Sequence, residues 1–384
     1  MKFLPLIWKN LWRRKLRTLL TVLSIMVAFQ LYGYLSAIRA GMTAGVTVAG
    51  QDRLVVRHKV SIIQLLPVIY LERIRQISGV KEVVHATWFG GIYQEAKNFF
   101  PQIPVDPTAH LSMYPEFKLP EEQRKAWIEK RTGAIVGRKT AIKYGFKIGD
   151  RIPIQPTMWR RSGPNPVWEF DVVGIYDGGD KATDTTQLFF RYDYFDEARA
   201  QGKGEVGWYV VRVTDPALSE EVARKIDEAF ANSPWETKAE SEKAFVQSFA
   251  KQVGDIGKIV SAVLSAVFFT ILLIAGNTMA QAIRERTGEI GVLKAIGFTH
   301  RLTMWLVLGE SLVISVLGGG LGLGFAWLLI SLWDPTGGAL PVFYFPISDL
   351  LIGVVFAVGL GVATGVLPAM QARKLQVSEA LRRL

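Results

Sequence analysis

The chain has 384 residues, 49% hydrophobic and 21% charged, with mean hydropathy +0.22, which fits neither an ordinary soluble domain nor a protein buried wholly in lipid. The absence of cysteine excludes disulfides, thiol catalysis and every cysteine-based metal site. A net charge of +11 would suggest nucleic acid in a soluble protein, but 14 of the 45 basic residues sit in three short stretches flanking apolar runs, so no nucleic-acid partner is expected.

In residues 1–18, Leu4, Ile7, Trp8, Leu11 and Trp12 recur at helical spacing, with Lys9, Asn10, Arg13 and Arg14 on the other side. The pattern predicts an elbow helix lying in the membrane interface; a plain basic flank is the alternative. Leu19 to Ile38 is apolar and long enough to cross a hydrocarbon core of about 30 Å. No small-residue cleavage site follows it, so it reads as an uncleaved anchor. Helix-compatible sequence from Thr43 to Gln51 extends it, and residues 19–50 are read as a first span with a stalk.

Residues 51–240 read as a mixed α/β domain with a core and an inserted subdomain. Leu54 to Val56 predicts a strand and Ile69 to Ile77 a helix stopped by Gly79. A second unit runs from a strand at Ala134 to Val136 through a helix at Lys139 to Tyr144 and a turn at Gly149-Asp150 into Ile152 and Ile154. Phe170 to Tyr176 and Tyr209 to Val213 predict strands, and Ser219 to Ala231 an amphipathic helix. Pro101 to Pro120 and Gln155 to Trp168, rich in Pro, Trp and Arg, predict extended loops outside the core.

Three more apolar runs follow, Ile259 to Ala280, Leu302 to Leu332 and Ile347 to Met370. The first belongs to a stalk and second span, 241–282, with Ser241 to Asp255 as stalk; the second, the third span at 302–332, is long enough that it must tilt, break or project. Residues 333–346 form a short connection without Lys or Arg, 347–370 the fourth span and 371–384 a basic tail. Lys and Arg concentrate before the first span, between the second and third, and after the fourth, which predicts a cytoplasmic location for both termini and for residues 283–301. The fold class is therefore an α-helical membrane protein with four transmembrane helices and a large mixed α/β extracytoplasmic domain between helices 1 and 2. That domain is nearly balanced in charge: Arg39 to Lys258 holds 31 basic and 28 acidic residues.

The sequence offers no enzyme chemistry. Gly133 to Thr140, GAIVGRKT, has one residue too few between its glycines for a P-loop and reads as strand, turn and helix. His58, His85, His110 and His300 are scattered singly and read as surface or loop residues, without metal-ligand spacing. Neither HExxH nor GxSxG occurs. Catalysis and bound cofactors are not expected in this chain.

The segment of greatest interest is Asn277 to Arg301, NTMAQAIRERTGEIGVLKAIGFTHR. Ile283, Ile290, Leu293 and Ile296 can line an apolar side, while Arg284, Glu285, Arg286, Glu289 and Lys294 offer both signs to a partner. Gly288, Gly291 and Gly297 allow close approach and a C-terminal stop. On physical grounds an ordinary polar loop remains the alternative. The run resembles the signature between the second and third spans of the MacB/FtsX-like family of ABC transporter permeases. Trp8 to Ile25, the glycine-rich Gly309 to Ala326 and Leu367 to Arg382 resemble the same family, as do Ile77 to Val83, Val136 to Ile152 and Phe170 to Asp177 in the α/β domain.

The resemblance implies a homodimer in the bacterial inner membrane, each subunit docked on a cytoplasmic ABC ATPase that binds ATP and Mg. Docking would run through Arg284, Glu285, Arg286, Glu289, Ile290, Gly291, Leu293, Lys294 and Gly297. Movement of the long first and second helices would drive export or extraction of a hydrophobic substrate (lipid, lipoprotein, glycolipid, peptide or drug), with a periplasmic adaptor. The alternative is an FtsX-like signalling subunit that activates a cell-wall hydrolase. Macrolide exporters of the family carry their ATPase ahead of the first span, so a separate ATPase subunit is expected here. Within the spans, Gln30, Asn277 and Glu310 are read as structural polar groups facing protein; for Glu310 an ion relay is the alternative. Gly318, Gly319, Gly320, Gly322 and Gly324 permit either close helix contact or bending.

Overall fold

A computed structural model describes residues 15–48, 50, 52–252, 256–336, 340 and 342–375. The predicted elbow helix around Leu4 to Trp12 and the tail beyond residue 375 lie outside the described residues. Helix α1 (Lys15–Val48) leads into strand β1 (Arg53–His58). Then come β2 (Leu66–Pro67), α2 (Tyr70–Arg75), β3 (Val80–Ala86), β4 (Gln102–Val105), α3 (His110–Met113), β5 (Phe117–Lys118) and α4 (Glu121–Glu129). β6 (Gly133–Gly137), α5 (Arg138–Tyr144), β7 (Arg151–Ile154), β8 (Trp168–Gly178), β9 (Leu188–Arg191) and α6 (Tyr192–Ala198) follow. β10 (Glu205–Val206), β11 (Trp208–Val213), α7 (Ser219–Ala229), β12 (Thr237–Ser241) and α8 (Glu242–Gln252) complete the domain. The remaining helices are α9 (Ile256–Glu285), α10 (Thr287–Ala295), α11 (His300–Leu332) and α12 (Ile347–Lys374). Two compact units result, one holding the long helices and the other Gly41–Gly254 together with Thr336–Val342.

The α/β unit is built on a mixed ten-stranded sheet in the order β12-β1-β11-β3-β4-β9-β6-β8-β5, with β7 paired to β8. β4 runs parallel to β9 and β6 parallel to β8; the remaining pairs are antiparallel. Val and Phe on both faces of β6, β8 and β9 are buried, as expected of strands covered on two sides. One core gathers Phe89, Trp168, Phe170, Phe190 and Phe195. A second packs Tyr70 and Ile74 of α2 and Ile226 of α7 against Val56, Tyr209 and Val211.

Two segments read from composition as loops are part of this core. Pro101 to Pro120 supplies β4, inside the sheet, and the fully buried Val105 and Met113. Pro104 is tolerated there because pairing of β4 with β3 is confined to Val105 opposite Ala86. Gln155 to Trp168 is mostly irregular, yet its two tryptophans are buried: Trp159 Nε1 donates to the Trp88 carbonyl at 2.8 Å and Trp168 Nε1 to the Trp159 carbonyl at 2.9 Å. Three histidines expected at the surface, His58, His85 and His110, are buried as well, whereas His300 is exposed. Gly133 to Thr140 runs from β6 directly into α5, a strand and helix without the turn expected between them. Ser241 ends β12 rather than opening a stalk, and helix resumes at Glu242.

In the other unit, four helices among the described residues are long and apolar enough to span a membrane: Lys15–Met42, Lys258–Glu285, His300–Leu332 and Ile347–Lys374. The third is an unbroken helix of 33 residues, about 50 Å at 1.5 Å per residue. Its glycines divide by face. A Cβ on Gly318 would sit 2.8 Å from Ile25 Cβ, and one on Gly319 2.6 Å from Ala357 Cβ, while Gly320 and Gly324 face open space. Gly322 meets the Met26 carbonyl. Close contact with α1 and α12 is thus the role of three of the five. Ser311 and Ser315 add hydrogen bonds to the carbonyls of Gly361 and Ala357, at 2.7 and 2.6 Å. At the opposite end of α1 from Arg17, Arg39 holds both carboxylate oxygens of Asp349, and Tyr32 donates to the Asp349 carbonyl.

Candidate functional site

The segment between the second and third spans is a short helix with defined ends. α9 stops at Glu285, Arg286 breaks the helix with φ −108°, and α10 begins at Thr287. At its far end the Gly297 N–H bonds the Lys294 carbonyl and the Phe298 N–H the Leu293 carbonyl, a double closure that requires the left-handed φ of +108° that Gly297 adopts. Thr299 then accepts from the Leu302 N–H and starts α11.

Three sets of contacts fasten α10 to the spans. Ile290 is buried with Val307, Ala369 and Ala372, and Ile283, Met304 and Leu308 pack around them. Arg286 donates to both carboxylate oxygens of Glu310, at 3.0 and 3.2 Å, and to Glu289 at 3.3 Å. Lys294, only 8% exposed, donates to the carbonyls of Ala372, Arg373 and Leu375 at 2.8, 3.0 and 2.8 Å. These are carbonyls at the C-terminal end of α12 that have no partner within the helix, and a cation there also opposes the helix dipole. Glu285, at the end of α9, receives Arg17 of α1 at 2.7 Å.

The charges expected to meet a partner are therefore largely engaged within the chain. Lys294 is turned inward, Arg286 and Glu289 are paired with each other, and Glu285 is tied to α1. Arg284 is exposed, Gly291 buried and Leu293 half-buried. Ile296, predicted to line the apolar side, is 73% exposed, and Val292, which the sequence did not single out, is 42% exposed. α10 and its C-cap thus present Val292 and Ile296 beside the part-exposed carboxylate of Glu289. Of the intramembrane polar residues, Glu310 receives Arg286, Gln30 is half-buried and Asn277 is exposed on α9 rather than turned toward the chain's own helices.

A second constellation sits where the chain enters and leaves the α/β domain. Glu242, the first residue of α8, accepts from the Gly50 N–H at 3.0 Å and from Arg53 Nε at 2.6 Å. Arg53, 4% exposed, also reaches Glu116 at 2.8 Å and lies 4.5 Å over the ring of Tyr114. The network ties the segment after α1 to the start of the segment before α9. Nothing in the spacing of Arg53, Glu116 and Glu242 along the sequence could have revealed it.

Residues 18–229 match the MacB-like periplasmic core domain and residues 260–377 the FtsX-like permease C-terminal family. The chain belongs to the MacB/FtsX-like family of ABC transporter permeases. An uncharacterized ABC transporter permease of Methanocaldococcus jannaschii is 24% identical over 81% of this chain and 78% of its own length. The macrolide export ATP-binding/permease protein MacB of Bdellovibrio bacteriovorus is 27% identical over 80% of this chain and 48% of its own, so the chain spans about half of that relative. The solved periplasmic region of MacB from Actinobacillus actinomycetemcomitans aligns with 53% of this chain and 95% of that one, at 11% identity and a TM-score of 0.38. As a MacB/FtsX-like permease, the protein is a multi-pass membrane protein whose four helices flank a MacB-like core domain and close with an FtsX-like C-terminal region.

Proposed function

We propose that this permease takes up the movement of a cytoplasmic ABC ATPase through Arg284 to Gly297 and passes it through α1 and α9 to the α/β domain outside the cytoplasm, driving export or extraction of a hydrophobic substrate. ATP and Mg chemistry belongs to the ATPase, and this chain contributes no catalysis. The observation that supports the reading best is the anchoring of α10: Ile290 packing, Arg286 with Glu310, and Lys294 with the end of α12 make it one body with α11 and α12. A push on its exposed Val292 and Ile296 is therefore not absorbed locally. The basic flanks of the spans support an inner-membrane orientation with both termini cytoplasmic. The partners in this reading are a second copy of the chain, a periplasmic adaptor and membrane lipids.

Ile296→Glu tests it without disturbing the anchors, because the side chain is 73% exposed. Burying a carboxylate in an ATPase groove costs several kcal/mol. Association with the cognate ATPase and permease-stimulated turnover are expected to fall at least about tenfold, about 1.4 kcal/mol, with insertion into the membrane unchanged. Normal association and turnover would return α10 to the role of an ordinary connection.

A further inference from the structure

The α/β domain holds a cavity of ≈ 390 Å³ lined by sheet residues of β1, β3 and β11 on one side and by Glu242 and Val246 of α8 on another. Ligand pockets occupy about 300–1,000 Å³, so the space is large enough for a small organic molecule. Its apolar wall is aromatic. Phe117 and Phe189 lie 5.4 Å apart between ring centroids, Tyr114 stacks on Phe117 at 5.6 Å, and Trp208 also lines the space. His110, 4% exposed and with neither ring nitrogen hydrogen-bonded among the described residues, packs 4.5 Å from Phe189.

The charged lining is unbalanced. Three carboxylates, Glu116, Asp184 and Glu242, face one guanidinium, Arg53, an excess of two negative charges. Arg53 already serves Glu116, Glu242 and the Met113 carbonyl, so an incoming anion would have to displace a carboxylate to reach it. Among the described residues Asp184 accepts from neutral groups, the Thr186 N–H and hydroxyl and the Gln187 amide. Burial pushes His110 down to about 3, so its imidazole adds no positive charge near neutral pH. Excess negative charge among low-dielectric aromatic walls attracts a cation, and the ring faces add to that attraction.

We propose that this cavity is a binding site for a hydrophobic monocation, an amine or onium compound with an apolar aromatic or aliphatic body. The site lies wholly within the α/β unit, whereas α10 belongs to the helical one.

Tetraphenylphosphonium and tetraphenylborate, a cation and an anion of matched shape, provide the test. Each is measured by equilibrium dialysis against the full-length chain in lipid nanodiscs, with protein-free nanodiscs to subtract partitioning. Saturable binding of the phosphonium at one site per chain is expected, with no saturable borate binding. Asp184→Asn, which keeps the local carbonyl acceptor while removing a charge, is expected to weaken the phosphonium about tenfold, and His110→Trp, which fills the cavity, to abolish its binding. Thermal unfolding of each variant checks folding; if His110→Trp misfolds, the half-buried Asp184→Asn carries the comparison alone. Equal saturable binding of the two ions, phosphonium binding that survives in Asp184→Asn at full strength, or no binding to the wild type would each overturn the assignment.

Discussion

Lys294 spends all three of its ammonium donors on the carbonyls of Ala372, Arg373 and Leu375, so its charge reads as structural once its neighbours are known. In Lys294→Met those carbonyls, one buried and two part-buried, lose their donor, at a cost of about 2 kcal/mol. The thermal midpoint of the purified protein is expected to drop by a few degrees while insertion is unaffected; an unchanged melt would mean that water takes the place of the lysine. In the sequence this residue reads as one more exposed base beside Glu289. Its partners are main-chain carbonyls 78 to 81 residues further on, and carbonyls leave no trace in composition. The buried histidines escaped for a different reason. His85 follows Val83-Val84 on β3, where Lys81 and Glu82 interrupt the apolar pattern, so nothing local marks the strand or the buried imidazole.

At the scale of single elements, hydropathy and punctuation carried far. Spans of about 20 apolar residues have few alternative explanations, and Gly79, Gly145 and Gly149, all at positive φ, mark stops that the sequence also suggested for the first and third of these. Packing faces were less legible. Which glycines of α11 touch a neighbour depends on rotation about the helix axis, and Ser311 and Ser315 are too few among apolar residues to fix it from the pattern alone. The same ambiguity hid Asn277, which α9 presents outward. An amide in a span is costly against lipid, so a second copy of this chain is the expected cover for it. The protein lacks cysteine, which makes the check direct: Asn277→Cys, oxidised in membranes, is expected to give a covalent dimer, whereas Phe269→Cys at another exposed position of α9 serves as the comparison. Exclusively monomeric Asn277→Cys would place the amide in lipid or against a different protein.

For the molecule as a whole, long-range pairing was the least legible part. β4 pairs in parallel with β9 across more than 80 residues, and a proline-rich approach disguised β4 as a loop. The sheet built this way encloses two imidazoles whose titration is coupled to unfolding. Burial lowers His85 to about 4 and His110 to about 3, outweighing the opposing pull of Asp106 on both and of Asp196 on His85; His85 and Arg53 push His110 further down. The unfolded chain takes up these protons near pH 6.5, before the folded one does, so the stability of the α/β domain is complete above about pH 6.5 and declines as pH falls toward 4 and below. Each unit of difference is worth about 1.4 kcal/mol. Denaturant unfolding followed by tryptophan fluorescence at pH 7.5 and 5 is expected to show a smaller acid loss for His85→Phe than for the wild type. Equal losses in the two proteins would assign the acid sensitivity to other groups.

β1 and β12 lie side by side, with Leu54 opposite Ser241 and His58 opposite Thr237. Almost two hundred residues of sheet and helix are thus suspended from one pair of adjacent threads, in the manner of a cartridge held in a socket. A cartridge mounted in this way can lengthen its loops or change its cavity without any alteration to the pairing of β1 with β12.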